Sequence, residues 1–540
     1  MNICETYSGN NVPKRTKWIY STVATFRDAC YALVSMFLIT FIQYSGVLTR
    51  GLPASATSEE KTALFVATFG VITALVIGYR IFDALNDPFM GVIIEKTHFK
   101  TGKYKPWILI GGLTNSVVVL ALFLAPQLFS WLSGWAYIAW FAVFYLLWGL
   151  TFTMNDIAYW GMLPSLTNDE RKRNTITTLM SIFCSIGQFV VAGLSPILSG
   201  AFGYQIYPII AIIVCSLFAI AQIILFLFLK EHKREDDTKV AKEKASFKDM
   251  FTVLRKNDQA LTMVIALFVY YLGSGILNTL GLNYFYFAIN YSVGSGVMTY
   301  FTIIYGVGYL LSQILFPLIT KKLSWKKIII MTFFGLVIGY IAFFIYGLPL
   351  GDGKYIGPSP LVIANGKTSL NILYLIPLCI IGLVIFFCQG LFYLTLLIMM
   401  TNTIEYNEYK FGERKEAVIF SLRPLTTKLA SALQQGVLYL FLIIASLSGV
   451  ISTISTYQNQ ATLGEITTTE LSTVCDSTLS SIQPWQVIVF KLGLTLLPLL
   501  LFVASFLVIK FKYHIDENEY RNMVTELNNR NEQKGTEQVQ

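Results

Sequence analysis

Predominantly apolar stretches of about 20 residues or more recur twelve times along the chain, and this restricts its fold more than any other feature. A segment of that length spans the hydrocarbon core of a bilayer as an α-helix. The stretches lie near 20–48, 63–94, 106–126, 134–163, 175–200, 204–230, 259–288, 294–320, 326–347, 371–402, 416–449 and 484–511. In lipid every backbone N–H and C=O must be satisfied within its own segment, so helices are the form these runs take. Several are longer than one crossing needs, which permits tilt. Only 13% of the 540 residues are charged, against roughly 25% in soluble domains. The fold class expected is an all-α, multi-pass membrane protein in the cell membrane, its environment the lipid bilayer.

Lysine and arginine orient it. Lys96, Lys100, Lys103 and Lys105, then Arg171, Lys172 and Arg173, then Lys321, Lys322, Lys326 and Lys327, and last Lys410, Arg414 and Lys415 fill one set of loops. The alternate loops hold only Arg50, Lys61, Lys354 and Lys367. The positive-inside rule therefore puts the basic loops and both termini in the cytoplasm. The net charge of +9 follows from those loops, with no need of a nucleic-acid partner. A Lys/Glu-rich connection at 231–258 separates a six-helix half at 1–230 from another at 259–512. The connection reads as a solvated linker with an amphipathic patch at Phe247–Phe251. Two-half bundles of this kind bind substrate near the midplane. The outward segments 350–370 and 450–483 read as loosely packed caps, and 513–540 as a frayed cytoplasmic helix. Residues 1–18 are polar and the first apolar run outlasts a signal-peptide core, so no cleavable leader is expected. The seven cysteines are scattered and the three histidines fall in polar segments. Neither a disulfide framework nor a histidine metal cage follows. Without an intramembrane histidine or nucleophile–base pair, a membrane-embedded enzyme is excluded, and no cofactor is expected.

Charged residues inside the apolar runs carry the functional signal. Arg80-Ile-Phe-Asp83-Ala-Leu-Asn86-Asp87-Pro88 ends the second run. Asp83, Asn86 and Asp87 share one helix face, with Arg80 three residues before Asp83. A charge at the centre of a membrane helix costs at least about 2.5–3.5 kcal/mol, and is tolerated where it faces a bundle interior, paired or holding an ion. The fourth run supplies Thr153, Asp156 and Trp160 on one face. A hydroxyl and carboxylates suit a hard monovalent cation such as Na⁺, and the indole offers a flat surface to a sugar ring. Arg27 and Asp28 lie in the first run, and Arg423 and Lys428 flank Thr426 and Thr427 in the eleventh. Lys491 near the start of the twelfth reads as a snorkelling lysine. Arg27, Arg80 and Lys428 oppose Asp28, Asp83, Asp87 and Asp156, leaving one negative charge over; counting Arg423 as central makes the set neutral.

Arg80-Ile-Phe-Asp83-Ala-Leu-Asn86-Asp87-Pro88-Phe-Met-Gly91 resembles the second-helix motif of the glycoside–pentoside–hexuronide:cation symporters, the melibiose-carrier-like branch of the major facilitator superfamily. Glu95-Lys-Thr97-His-Phe-Lys-Thr-Gly102-Lys103-Tyr-Lys105-Pro106 is similar to the loop that follows in that family. Thr403-Ile-Glu405-Tyr-Asn-Glu408-Tyr409-Lys410-Phe-Gly412 is similar to its segment between helices 10 and 11. The resemblance implies a twelve-helix fold in two six-helix halves and cation-coupled sugar symport. By position it makes Asp83, Asn86, Asp87 and Thr153 ligands of Na⁺, with Asp87 the carboxylate that takes a proton in proton-coupled members. It makes Asp156 the bridge between cation and sugar, Asp28 a sugar-hydroxyl acceptor, and Trp160 the stacking ring. Arg80 and Lys428 correspond to basic residues that pair with these acids.

Two positions depart from the pattern. Ser181 stands where the melibiose carrier has a sugar-binding arginine, and Arg423 and Pro424 replace a glutamine and a threonine of its sugar pocket. A guanidinium moved from one wall to the other suits an acidic sugar, a hexuronide, and Arg27 and Arg423 join the candidate sugar-binding residues. The expected partners are a small sugar and a monovalent cation, Na⁺, Li⁺ or H⁺, with a monomer as the working unit. The alternatives are a lipid or amphiphile carrier of the same superfamily and a non-transporting sugar sensor.

Overall fold

In the computed structural model the described residues are 13–537, except 54, 98, 100, 167–169, 230, 232–251, 253, 352–353, 365–366 and 414–415. The patch expected at Phe247–Phe251 and most of the linker lie outside them. Among the described residues twelve helices are long and apolar enough to cross a membrane. They are α1 (Lys14–Tyr44), α2 (Ser58–Lys96), α3 (Lys105–Leu128), α4 (Gly134–Leu166), α5 (Glu170–Phe202), α6 (Ile206–Phe228), α7 (Asp258–Ala288), α8 (Tyr291–Thr320), α9 (Trp325–Ile345), α10 (Ile372–Phe411), α11 (Glu416–Ile444) and α14 (Pro484–Lys512). Each apolar run of the sequence becomes one of them.

The burial pattern is that of a protein dissolved in lipid. Val117, Leu227 and Ile338 are about two-thirds exposed, at 66% each, while Arg27, Arg80, Asn115 and Gln222 are buried. Polar groups turn inward because lipid cannot satisfy them. Two compact units form: one from 1–240, 285–302 and 439–486, the other from 241–284, 303–438 and 487–540.

Small residues set how closely the helices of the first unit approach. A Cβ on Gly111 would lie 2.7 Å from the Asn155 backbone nitrogen, and one on Gly112 would lie 2.4 Å from Gln222 Cγ. With no side chain there, α3 packs against α4 and α6, as small residues allow in membrane bundles. Asn155 Nδ2 then donates to Ile108 O at 2.7 Å and Gln222 Oε1 at 3.2 Å. The loop before α3 is fixed by Glu231, whose carboxylate accepts from the backbone N–H of Lys103 at 2.9 Å, Tyr104 at 3.0 Å and Lys105 at 3.2 Å. A carboxylate suits the positive end of a helix. Gly102 has φ 131°, and a Cβ there would sit 2.4 Å from Glu231 Oε2, so the glycine of this motif clears space for the cap.

Three expectations change. The described residues of 350–370 include two strand pairs: β1 (Pro349–Gly351) pairs antiparallel with β2 (Lys354–Tyr355), and β3 (Leu361–Ala364) with β4 (Lys367–Leu370). The segment 450–483 is two helices, α12 (Ser448–Thr462) and α13 (Thr468–Ser480). Its many hydroxyls read as solvated chain, yet Thr467 and Glu470 form a reciprocal capping box. Leu471, Cys475 and Leu479, four apart, make a buried stripe on α13. Lys491 does not snorkel. It is wholly buried and donates to Tyr346 O at 2.5 Å, a carbonyl just past the end of α9, with the Tyr284 ring 5.6 Å away. An orphan helix-end carbonyl and an aromatic face stabilise the ammonium in place of water. The tail forms α15 (Glu517–Glu537), tied at its start by Glu517 Oε1, which accepts from Trp325 N at 2.9 Å.

Gly111→Val places a branched side chain against backbone that cannot yield. It lowers stability by about 1–3 kcal/mol, the usual cost of overpacking, read as a lower midpoint of thermal unfolding in detergent.

Candidate functional site

The acidic face of α2 meets α4. The Thr153 hydroxyl lies 3.0 Å from Asp83 Oδ1 and 3.3 Å from Asp87 Oδ1. One hydroxyl carries one proton, so it donates to one carboxylate at a time. The two acids thus converge on one oxygen from adjacent turns of α2. Thr153 is 3% exposed, and Asp83, Asn86 and Asp87 are half-buried. Asn86 Nδ2 is buried with no hydrogen-bond partner. Arg80, on the same face, donates to Tyr31 Oη at 3.2 Å and lies over the Trp148 ring at 5.1 Å.

One turn further along α4, Asp156 belongs to a second cluster. Arg27 Nη1 lies 3.1 Å from Asp156 Oδ1, and Arg27 Nη2 lies 2.9 Å from Asp28 Oδ2. The guanidinium side chain is 3% exposed, Asp28 is 11% and Asp156 is 37%, so the acid on α4 forms the open edge. Arg27 is stacked over Tyr159 at 4.5 Å and lies 6.0 Å from the Trp160 ring. Tyr159 is itself locked: its ring stacks on Tyr20 at 4.5 Å, and each hydroxyl donates to the other residue's carbonyl. Trp160 stays 41% exposed beside this cluster.

Helix α5 completes the wall. A Cβ on Gly187 would lie 2.0 Å from Thr25 O, so only glycine lets α5 press this closely on α1. That contact brings Gln188 Nε2 to Asp28 Oδ1 at 3.2 Å and Cys184 Sγ to within 3.7 Å of Arg27 Nη2. Ser181 is exposed on the same helix and donates to Thr177 O at 2.9 Å.

Of the residues singled out in the sequence, the structure brings Asp83, Asp87 and Thr153 together, with Asn86 on the same helix face. It gathers Arg27, Asp28 and Asp156 separately, with Trp160 beside them. Arg423 and Lys428 belong to the second unit. There Arg423 Nε donates to Tyr271 Oη at 3.4 Å and its guanidinium lies 5.8 Å from the Tyr393 ring. Among the described residues no three His, Cys, Asp or Glu side chains are grouped to hold a metal ion. The sequence reading passed over Gln188, Tyr31, Trp148 and Tyr159. Gln188 follows a glycine and lies seven residues after Ser181, so helical spacing places it on the polar face; the aromatics carry no such signal.

The sequence profile described as MFS/sugar transport protein matches residues 70–517. The chain belongs to that family. Within the major facilitator superfamily it is a glycoside–pentoside–hexuronide:cation symporter relative, a transporter rather than an enzyme. It is 26% identical to the lactose permease of Leuconostoc lactis over 92% of this chain and 69% of the permease. It is 27% identical to the raffinose carrier protein of Pediococcus pentosaceus over 80% of this chain and 62% of the carrier. The chain therefore spans about two-thirds of the length of these relatives. In three dimensions it resembles a bacterial homologue of the human lysosomal transporter Spinster, with a TM-score of 0.57 at 10% identity, covering 94% of this chain and 100% of that one. At that identity the likeness speaks for the fold alone.

Removing Arg27 leaves Asp28 and Asp156, two acids of like charge, without the guanidinium that pairs with both. Arg27→Gln lowers stability toward the lower end of the about 3–5 kcal/mol typical of broken buried pairs, because Asp156 is partly solvated. Adding Asp156→Asn recovers part of that loss in the same detergent melt. A double variant no more stable than Arg27→Gln alone would remove the ion pair from this account.

Proposed function

We propose that this transporter is a cation-coupled sugar symporter of the cell membrane, with both termini cytoplasmic, working by alternating access. The observation that carries this reading is the Thr153 hydroxyl set between Asp83 and Asp87, one helical turn from the acid that Arg27 holds. Two carboxylates that converge on one oxygen form a negatively charged donor set that a bound cation or proton stabilises. Asp83, Asp87 and Thr153 offer oxygens to a monovalent cation, and the Asn86 carboxamide, whose nitrogen lacks a partner, adds an oxygen when turned. This donor set suits Na⁺ or Li⁺, while H⁺ needs only one of the carboxylates, Asp87.

Asp28 and Asp156 accept sugar hydroxyls, Trp160 stacks on the apolar face of the ring, and Arg27 holds both acids at fixed positions. Asp156 acts toward the cation through the α4 turn it shares with Thr153 and as the acceptor nearest the cation cluster. Arg80 and Lys428 balance charge. Each ligand raises the affinity for the other by reciprocal linkage. The sugar is a neutral glycoside. The names of the lactose and raffinose relatives support this.

Isotope counterflow into vesicles separates these statements. Lactose and raffinose exchange, whereas a glucuronide does not; exchange of the glucuronide alone would replace the neutral sugar with a hexuronide. Asp87→Cys abolishes uptake against a gradient driven by Na⁺, Li⁺ or pH while the protein remains inserted. Unchanged concentrative uptake in that variant would refute the cation assignment.

A further inference from the structure

In sequence the helical pair α12–α13 falls between α11 and α14, and it packs on the turn that follows α1. In the first compact unit it touches the starts or ends of helices from both sequence halves. Asn459 Oδ1 accepts from Arg50 Nε at 2.7 Å, in the turn after α1. Gly46 (φ 77°) underlies the same helix: a Cβ there would meet Asn459 Cβ at 2.6 Å and Ser455 O at 2.7 Å. Gln458, 1% exposed, bridges the two halves with one carboxamide. Its oxygen accepts from Tyr204 N at 3.1 Å, ahead of α6, and its nitrogen donates to Tyr291 Oη at 2.5 Å, at the start of α8.

Asp476 on α13 caps α8. Its Oδ1 accepts from Tyr291 N at 2.7 Å and Ser292 N at 3.2 Å, and its Oδ2 from Ser292 Oγ at 2.6 Å. A carboxylate there satisfies orphan N–H groups and complements the helix dipole. Beside these contacts α5 and α8 are in direct touch. Thr299 Oγ1 donates to Gly193 O at 3.1 Å, and a Cβ on Gly200 would fall 2.0 Å from Ser295 Oγ.

We propose that α12–α13 is a latch: Gln458 and Asp476 hold the start of α8 against the first-half helices and so set how often this end of the transport path opens. To open it, α8 must leave α5, and each such departure strips Asp476 of its backbone donors and splits the Gln458 bridge. Burial of Ile451, Ile454 and Leu471 makes the pair a packed body rather than a loose loop, so the latch moves as one piece. The inference rests on the alternating-access reading but on neither the sugar nor the ion.

The test uses the full-length protein in membranes, with Cys475→Ala to remove the buried thiol of the pair and Thr299→Cys as reporter. Thr299 is 4% exposed, so a membrane-impermeant maleimide reaches this position only while the seam is open. Asp476→Asn and Gln458→Ala each speed labelling, by about fivefold to tenfold for Asp476→Asn, since hydrogen bonds to a charged group are the stronger kind. Asp476→Glu stays close to the parent. As a second measurement, an oxidised Asp476→Cys/Ser292→Cys pair suppresses labelling, and a reductant restores it. Parental labelling in both weakened variants, or brisk labelling of the cross-linked protein, overturns the latch. Because the readout needs no ligand, that outcome leaves the transport reading intact, and failed counterflow leaves the latch intact.

Discussion

A guanidinium shut away from water must be matched, and Arg27 is matched twice. It reaches Asp28 at 2.9 Å on its own helix and Asp156 at 3.1 Å on α4, while the Tyr159 ring lies beneath it. In a low-dielectric interior, removing one member of such a set leaves an uncompensated charge. The triad therefore fixes the rotation of α4 relative to α1. Since Thr153 precedes Asp156 by three residues, the same constraint presents the hydroxyl to Asp83 and Asp87 on α2. The polar contacts of the first half are linked through this one helix.

Those contacts depend on what is missing as much as on what is present. Gly187 lets α5 lie on the backbone of α1, and only then does Gln188 reach Asp28. Gly111 and Gly112 do the same for α3 against α4, burying Asn155 as a structural amide while its neighbour Asp156 faces Arg27. Without a hydrophobic driving force between helices in lipid, close packing and interhelical hydrogen bonds supply the association. The glycines thus decide which polar side chains can act together.

Coupling in the proposed cycle has a physical scale. Charges one helical turn apart, about 5–6 Å, interact by about 3 kcal/mol at an effective dielectric constant near 20. Coupling energies between ligand sites usually run at about 1–3 kcal/mol. A cation settling between Asp83 and Asp87 can therefore alter Asp156 through electrostatics along α4, with no long mechanical path. The latch of α12–α13 acts at a different level, on the equilibrium of α8 against the first-half helices.

The sequence alone determined the twelve crossings, because about 20 apolar residues allow nothing else in lipid, and every run became a helix. It also determined which side chains are too costly to face lipid, and so which belong inside: Asp83, Asp87, Asp156, Arg27 and Arg80. Only the tertiary structure decided how they pair. Helical spacing places residues on a face but says nothing of the distance to the next helix, so the division into a Thr153 cluster and an Arg27 cluster could not be read, nor could the part played by Gln188. Ser/Thr-rich 450–483 looked solvated because hydroxyls mask a short apolar stripe, and Lys491 looked like a snorkelling residue because the carbonyl it caps lies 145 residues away in sequence. Local periodicity follows from each segment's own chemistry; partner choice follows from packing, which joins residues that the chain keeps far apart.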